Sequence, residues 1–178
     1  VPEPLRYTIY TGVVSIFALV LAPWGFSLPT VFGLWFAVLA GWVFLASLAC
    51  IFTLLREFEP SRAAPVFGAI GVFILFVVER ALLAADFGPG EIAAITLLVA
   101  GAFLLAYRNG AGGGSRRFAA LVAAAGALQA LYFLLAKVVF TDLGFVNGFI
   151  WTRVAAFVGA AVLLAWFRHR ARAVGSHL

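Results

Sequence analysis

Charged residues are scarce in this sequence of 178 residues. Lys, Arg, Asp and Glu together make up 11% of the chain, whereas 65% of it is hydrophobic. The mean hydropathy of +1.13 is far above that of ordinary soluble domains. The composition therefore excludes a water-soluble globular domain and indicates a chain that folds in a lipid bilayer.

Cysteine, histidine and methionine are also rare or missing: the chain has one Cys, two His and no Met. Cys50 has no second cysteine for a disulfide and is predicted to be apolar filler within a helix. His169 and His177 lie in the C-terminal tail without Cys, Asp or Glu at ligand spacing, so we expect no metal site. No Ser or Cys has a nearby base and no nucleotide-binding loop occurs. The sequence therefore predicts neither catalytic residues nor a cofactor.

Long apolar runs fill most of the chain. A bilayer core about 30 Å thick requires roughly 20 apolar residues per helix. Six runs of about this length occur, and they are apolar on every face, unlike the alternating strands of a membrane barrel. The sequence thus predicts an all-α, polytopic bundle of about six transmembrane helices, with the lipid bilayer as its direct partner. The runs are 6–24, 30–55, 63–85, 91–107, 118–140 and 147–167.

Basic residues are distributed unevenly among the predicted loops. Cytoplasmic loops of membrane proteins carry an excess of Lys and Arg, so this distribution predicts that both termini face the cytoplasm of the cell (inner) membrane. Because the charges are spread over loops rather than one soluble face, the net charge of +5 does not indicate nucleic-acid binding. The inner set is Arg6, Arg56, Arg62, Arg108, Arg116, Arg117, Arg168, Arg170 and Arg172, and the outer set is Arg80, Lys137 and Arg153.

Residues 54–108 carry a family resemblance. A polar loop is followed by Ala63-Ala64-Pro65 at the opening of a helix, and then by Pro89, Glu91 and an Ala100-Gly101 pair in that order. This pattern resembles the EamA-type domain of the drug/metabolite transporter superfamily. The usual Gly-Glu before the turn is replaced here by Ala84-Ala85-Asp86. Residues 118–167 are similar to the start of that family's second repeat.

The resemblance implies a ten-helix, inverted-repeat template and secondary transport of a small metabolite or drug by alternating access. On this template, 1–107 is a first repeat without its first helix, 108–117 is a Gly/Arg linker, 118–168 is a partial second repeat and 169–178 is a basic tail. The first and sixth segments are then repeat partners, and the missing predecessor fits the missing Met. A second copy of the chain or complementing helices would complete the fold. The template places loops 56–62 and 108–117 outside, opposite to the arginine distribution, which we follow here.

Glu79 is the leading functional candidate. Ionisable groups inside a bilayer are costly and normally face the bundle interior or an interface. Glu79 and Asp86 are seven residues apart, which predicts one helical stripe, and both are candidates for proton coupling. Arg80 points about 100° away, so each charge is expected to pair with another helix. The structural alternative is that Arg80 reaches the interface while Glu79 forms an ion pair with Lys137 or Arg153.

Five further side chains are candidate substrate ligands beside Glu79. Arg153 and Trp151 offer a cation and an aromatic wall, or form an interfacial anchor. Gln129 and Tyr132 offer hydrogen bonds from one face of a helix, or join helices to each other. Trp35 lines a cavity or meets lipid. Because every candidate has a purely structural interpretation, a non-transporting membrane scaffold or sensor is the alternative function.

Overall fold

The computed structural model describes residues 3–82, 86–108 and 116–175, apart from the side chains of 82, 103, 105–108 and 170–175. These ranges are helical, contain no strand, and confirm the predicted all-α bundle. The helices are α1 (Glu3–Val14), a 3-10 helix (Ser15–Trp24), α2 (Val31–Glu57), α3 (Pro60–Leu82), α4 (Pro89–Arg108), α5 (Arg116–Leu143) and α6 (Phe145–Gly175).

The helices have the length and composition of membrane spans. Within the described residues, five spans are long and apolar enough to cross a bilayer, and Pro89–Ala102 is a shorter apolar stretch. The whole of α4 has 20 residues, which is about 30 Å at 1.5 Å per residue. The chain is therefore a multi-pass membrane protein.

The first span covers Glu3–Trp24, in agreement with the helix predicted for 6–24, but it is not α-helical throughout. It changes at Ser15 into a 3-10 helix of 10 residues, although such helices rarely exceed one turn. The hydroxyls of Thr8, Thr11 and Ser15 each donate to the carbonyl four residues earlier, at 2.9–3.0 Å. Such bonds weaken and bend the α-helical ladder, which gives a physical reason for the change at this point.

Helices α2 and α5 form the centre of the bundle. α3 packs on α5, α6 packs on α2 and on the first span, and α4 packs on α3. Glycine makes the closest approaches possible: a Cβ at Gly41 would lie 2.7 Å from the Ala156 nitrogen, and a Cβ at Gly126 would lie 2.8 Å from Ile70 Cγ2. Small residues are how membrane helices approach one another without a hydrophobic driving force.

Polar contacts define the two ends of the bundle. At the basic end, Arg56 pairs with Glu3 at 3.4 Å and Arg117 pairs with Glu57 at 2.6 Å. At the opposite end, the Thr30 hydroxyl caps α2 by accepting from the Gly33 nitrogen at 2.9 Å and donates to Asp142 at 2.6 Å. The start of α1, the end of α2 and the start of α5 therefore share one end, as alternating spans require.

Candidate functional site

A cavity of about 550 Å³, which we call the Lys137 groove, lies toward the opposite end of the bundle. Residues of α5 form most of its lining, and α2 and α3 contribute one residue each. Both of these helices pack along α5 and contact each other much less, which leaves the space between them. The lining is apolar except for the Lys137 ammonium, the Thr141 hydroxyl and the Asp142 carboxylate. The lining residues are Phe32, Val78, Leu134, Lys137, Val138, Thr141 and Asp142.

Glu79 and Lys137 form an ion pair across α3 and α5. The Lys137 ammonium donates to Glu79 Oε1 at 2.7 Å. The Glu79 side chain is 19% exposed and that of Lys137 is 57% exposed, so the carboxylate is the more enclosed partner. Of the two partners proposed for Glu79 in the structural alternative, the structure pairs it with Lys137. Lys137 lines the groove, and Glu79 is bonded to it without being one of the lining residues.

Arg80 and Asp86 are placed differently from the expectation. The helix α3 ends at Leu82 and Asp86 lies outside any helix, so the stripe predicted for Glu79 and Asp86 on one helix is wrong. The Arg80 guanidinium donates to Asp86 at 3.0 Å, and the Asp86 side chain is 99% exposed. One partner of Arg80 is thus six residues away in the sequence.

Gln129 and Tyr132 face the interior between α2 and α5. The buried Ser47 hydroxyl donates to Gln129 Oε1 at 2.8 Å. Tyr132 is buried and its ring centroid lies 5.2 Å from that of Phe44. These two predicted residues therefore share the α2 face of α5, one turn apart, in the centre of the bundle.

Arg153 and Trp151 lie apart from the Lys137 groove. The Arg153 guanidinium sits over the Phe44 ring at 4.2 Å and the Phe149 ring at 5.0 Å, and it lines a second cavity of about 430 Å³ against the first span. The Trp151 indole donates to the Ser27 carbonyl at 3.0 Å and stacks on Phe26 at 5.6 Å. Trp151 thus fastens α6 to the connection that follows the 3-10 helix.

Trp35 lies on the outer surface of α2. Its side chain is 66% exposed, and Trp42 on the same helix is 53% exposed. Exposed apolar surface on a membrane-spanning helix faces lipid. Of the two interpretations of Trp35, this placement favours lipid contact over a cavity wall.

Several polar contacts were not anticipated from the sequence. Asn147 is buried, its amide donates to the Ser27 hydroxyl at 2.8 Å, and it accepts from the Ser27 nitrogen at 3.1 Å. Ser47 and Asp142 were also missed. A signal existed for Ser47 and Asn147, since a hydroxyl or amide within an apolar run is a frequent interhelical donor. The pairing of Thr30 with Asp142 has no local signal because 112 positions separate them.

The described residues gather no three His, Cys, Asp or Glu side chains that can hold a metal ion. Comparison with protein-family models, curated proteins and solved structures returns no match. A function for this chain is therefore inferred from the geometry of the sites and from the family resemblance of residues 54–108.

Proposed function

We propose that this membrane protein is a transporter module of the drug/metabolite transporter type, with EamA-like repeats. It moves a small metabolite or drug across the cell membrane by alternating access. The observation that carries the proposal is the ion pair of Glu79 with Lys137, the cation that lines a groove of about 550 Å³. Ionisable groups within membrane spans commonly mark substrate or ion pathways.

The groove suits an amphipathic solute. Its apolar lining accommodates an aromatic or aliphatic body, while Lys137 and Asp142 offer one cation and one anion to polar groups of the solute. Protonation of Glu79 neutralises the carboxylate and releases the Lys137 ammonium to bind an anionic group. Glu79 is then the coupling residue, and Asp86 at the exposed end of α3 is the second site for proton exchange.

The interior residues support this arrangement from behind the groove. Gln129 and Tyr132 lie on α5, the helix that carries Lys137, and face α2. A change in the separation of α2 and α5 during alternating access would break the Ser47–Gln129 hydrogen bond and open these two residues to the solute. Arg153, Trp151 and Trp35 act outside this groove.

The packing of α1 along α6 supports their assignment as repeat partners. A Cβ at Gly12 would collide with that of Ala160, so the two helices approach closely. Inverted-repeat transporters place their sites where the repeats meet.

The groove is open between α2 and α3, and a second copy of the chain or complementing helices closes it in the working assembly. The basic end faces the cytoplasm.

A non-transporting scaffold or sensor is the second candidate, and one observation favours it. Glu79 and Lys137 already satisfy each other at 2.7 Å, and such a pair can serve to fix the position of α3 against α5 without any solute.

Proteoliposome flux separates these two functions. The protein is reconstituted into vesicles with an imposed pH gradient, and uptake is followed for three aromatic probes: ethidium as cation, phenylalanine as zwitterion and benzoate as anion. We expect at least one probe to cross faster than in empty vesicles, and Glu79→Gln to lower its gradient-driven flux by about tenfold or more.

The matched control is Glu57→Gln, which removes a carboxylate from an ion pair with Arg117 at the basic end. Its flux should stay close to that of the parent protein. If no probe crosses faster than in empty vesicles, the scaffold function is favoured. If Glu79→Gln carries a probe as well as the parent does, Glu79 is not the coupling residue.

A further inference from the structure

Arg153 is a cation placed well inside a membrane span. The helix α6 begins at Phe145, so eight residues at 1.5 Å each put Arg153 about 12 Å along the helix from its start. Within the described part of the chain, none of the ion pairs involves Arg153. A cation at this depth is costly to insert into a bilayer unless something compensates its charge.

Two aromatic rings compensate Arg153 in part. The guanidinium carbon lies 4.2 Å from the Phe44 ring centroid and 5.0 Å from that of Phe149. Cation–π contacts stabilise a cation but leave its five N–H donors to find acceptors elsewhere. The site therefore offers planar, charge-assisted donors in apolar surroundings, which suits a carboxylate.

Arg153 also lines a cavity of about 430 Å³ between α6 and the first span. On the first span the lining includes Ala18, Phe17 and Val20. Phe17 is 71% exposed and Val20 is 65% exposed, so the rim of the cavity faces the acyl chains of the bilayer. A ligand that enters sideways from the membrane would meet apolar side chains first and the guanidinium last.

The hydroxyls in the cavity do not compete with Arg153 as donors. Thr11 donates to the Tyr7 carbonyl at 2.9 Å and Ser15 donates to the Thr11 carbonyl at 2.9 Å. Both hydroxyl hydrogens are used within the helix, so an acidic ligand group is drawn to Arg153 alone.

We propose that this cavity binds an amphipathic carboxylate, a long-chain fatty acid in chemical class. Its carboxylate pairs with Arg153 and its chain lies along Phe17 and Val20. A carboxylic acid can enter the bilayer in the neutral form and lose its proton beside the guanidinium. A phosphodiester headgroup stays ionised and is held at the interface by its glycerol and second chain, so a phospholipid fits this depth less well. The site is separate from the Lys137 groove, and the proposal does not depend on the transport function.

Equilibrium binding of radiolabelled palmitate to the full chain in detergent tests the proposal. We expect saturable binding that falls by about tenfold or more in Arg153→Gln, because a charge-assisted bidentate pair is lost. Arg153→Lys keeps the cation and should retain part of the affinity. Ala18→Phe leaves Arg153 in place but fills the cavity, and it should also weaken binding.

Three controls make the result decisive. Arg56→Gln removes a cation at the basic end and should bind palmitate as the parent does. Hexadecanol, which has the chain without the acid, should not displace palmitate, and neither should phosphatidylglycerol. Circular dichroism and gel filtration confirm that each variant is folded.

Equal binding by the parent and by folded Arg153→Gln would overturn the proposal. Displacement of palmitate by phosphatidylglycerol would overturn it as well, since the site would then be a phospholipid headgroup site. Competition by hexadecanol would show that the apolar rim alone retains the chain, which also contradicts a carboxylate site.

Discussion

The ammonium of Lys137 on α5 lies 2.7 Å from a carboxylate oxygen of Glu79 on α3. The two residues are 58 positions apart in the sequence, and the contact joins a central helix of the bundle to a helix that packs on it. Of the four described ion pairs, this is the one whose cation also lines the Lys137 groove. It connects the stability of the bundle with the proposed function.

The Glu79–Lys137 pair should be coupled more strongly than an exposed ion pair. A double-mutant cycle of Glu79→Gln and Lys137→Gln is expected to give a coupling free energy of about 1–3 kcal/mol, between values for exposed and buried pairs. Unfolding in mixed micelles measures it. The matched control is the Glu57–Arg117 pair at the basic end, for which we expect less than about 1 kcal/mol. A larger coupling in the control pair would contradict the placement of Glu79 within the membrane.

The Ser47–Gln129 hydrogen bond should stabilise the contact between α2 and α5. Ser47→Ala leaves the Gln129 carbonyl without its 2.8 Å donor, and we expect a loss of about 0.6–2 kcal/mol in the free energy of unfolding. Ser61→Ala is the control, because its hydroxyl is exposed in the first turn of α3 and bonds the nearby Glu59 rather than another helix. The hydrogen bond has no stabilising role if both variants unfold alike.

Gly41 should not tolerate a side chain. A Cβ there would lie 2.7 Å from the Ala156 nitrogen and 2.8 Å from the Thr152 carbonyl oxygen, which are backbone atoms that cannot turn aside. We expect Gly41→Ala to separate α2 from α6 and to cost roughly 1–3 kcal/mol as overpacking does.

Gly68 is the matched control for Gly41, because it is also helical but has no atom within 4 Å of a Cβ placed there. Gly68→Ala should be neutral or stabilise by about 0.5–1 kcal/mol through helix propensity. Thermal unfolding in detergent compares the two. Equal effects of the two substitutions would show that α2 and α6 do not approach as described.

The basic end should face the cytoplasm. In a Cys50→Ala background, Ser61→Cys marks the first turn of α3 at the basic end, and Gly90→Cys marks the first turn of α4 at the other end. A membrane-impermeant maleimide should label the Gly90→Cys variant in intact spheroplasts and the Ser61→Cys variant only in inverted vesicles. The reverse pattern would mean that the family template, and not the arginine distribution, sets the orientation.

Much of the fold was predictable because helix formation in lipid depends on local composition. Each predicted run lies on a helix, for example 30–55 on Val31–Glu57, although α6 continues to Gly175, past its predicted end at 167. The first span is also helical, but it changes into a 3-10 helix where the hydroxyls of Thr8, Thr11 and Ser15 bond back to the chain. Hydroxyl spacing of three or four residues signals this in retrospect, but the length of the 3-10 helix depends on its packing against α6.

The candidate site was predictable in its residue types and not in its arrangement. Glu79 and Lys137 stood out because charges are rare in apolar runs, yet Arg153 was an equal candidate as partner. Helical periodicity places a side chain on a face of its own helix, but it does not say which helix that face meets. Asp86 shows the opposite error, because the prediction extended the helical period to a residue that lies outside any helix.

The sequence by itself determined that this chain is a bundle of membrane helices, and it predicted most of the arginines at one end. Both properties follow from the free-energy cost of exposing backbone polar groups and charges to lipid. This cost acts on each segment separately, so it can be assessed from the local sequence. Only the tertiary structure decided that Glu79 meets Lys137, that Ser47 meets Gln129 and that Arg153 lies over Phe44. The rotation of each helix about its axis is set by where small residues such as Gly41 and Gly126 allow close approach, and this is a property of two helices together.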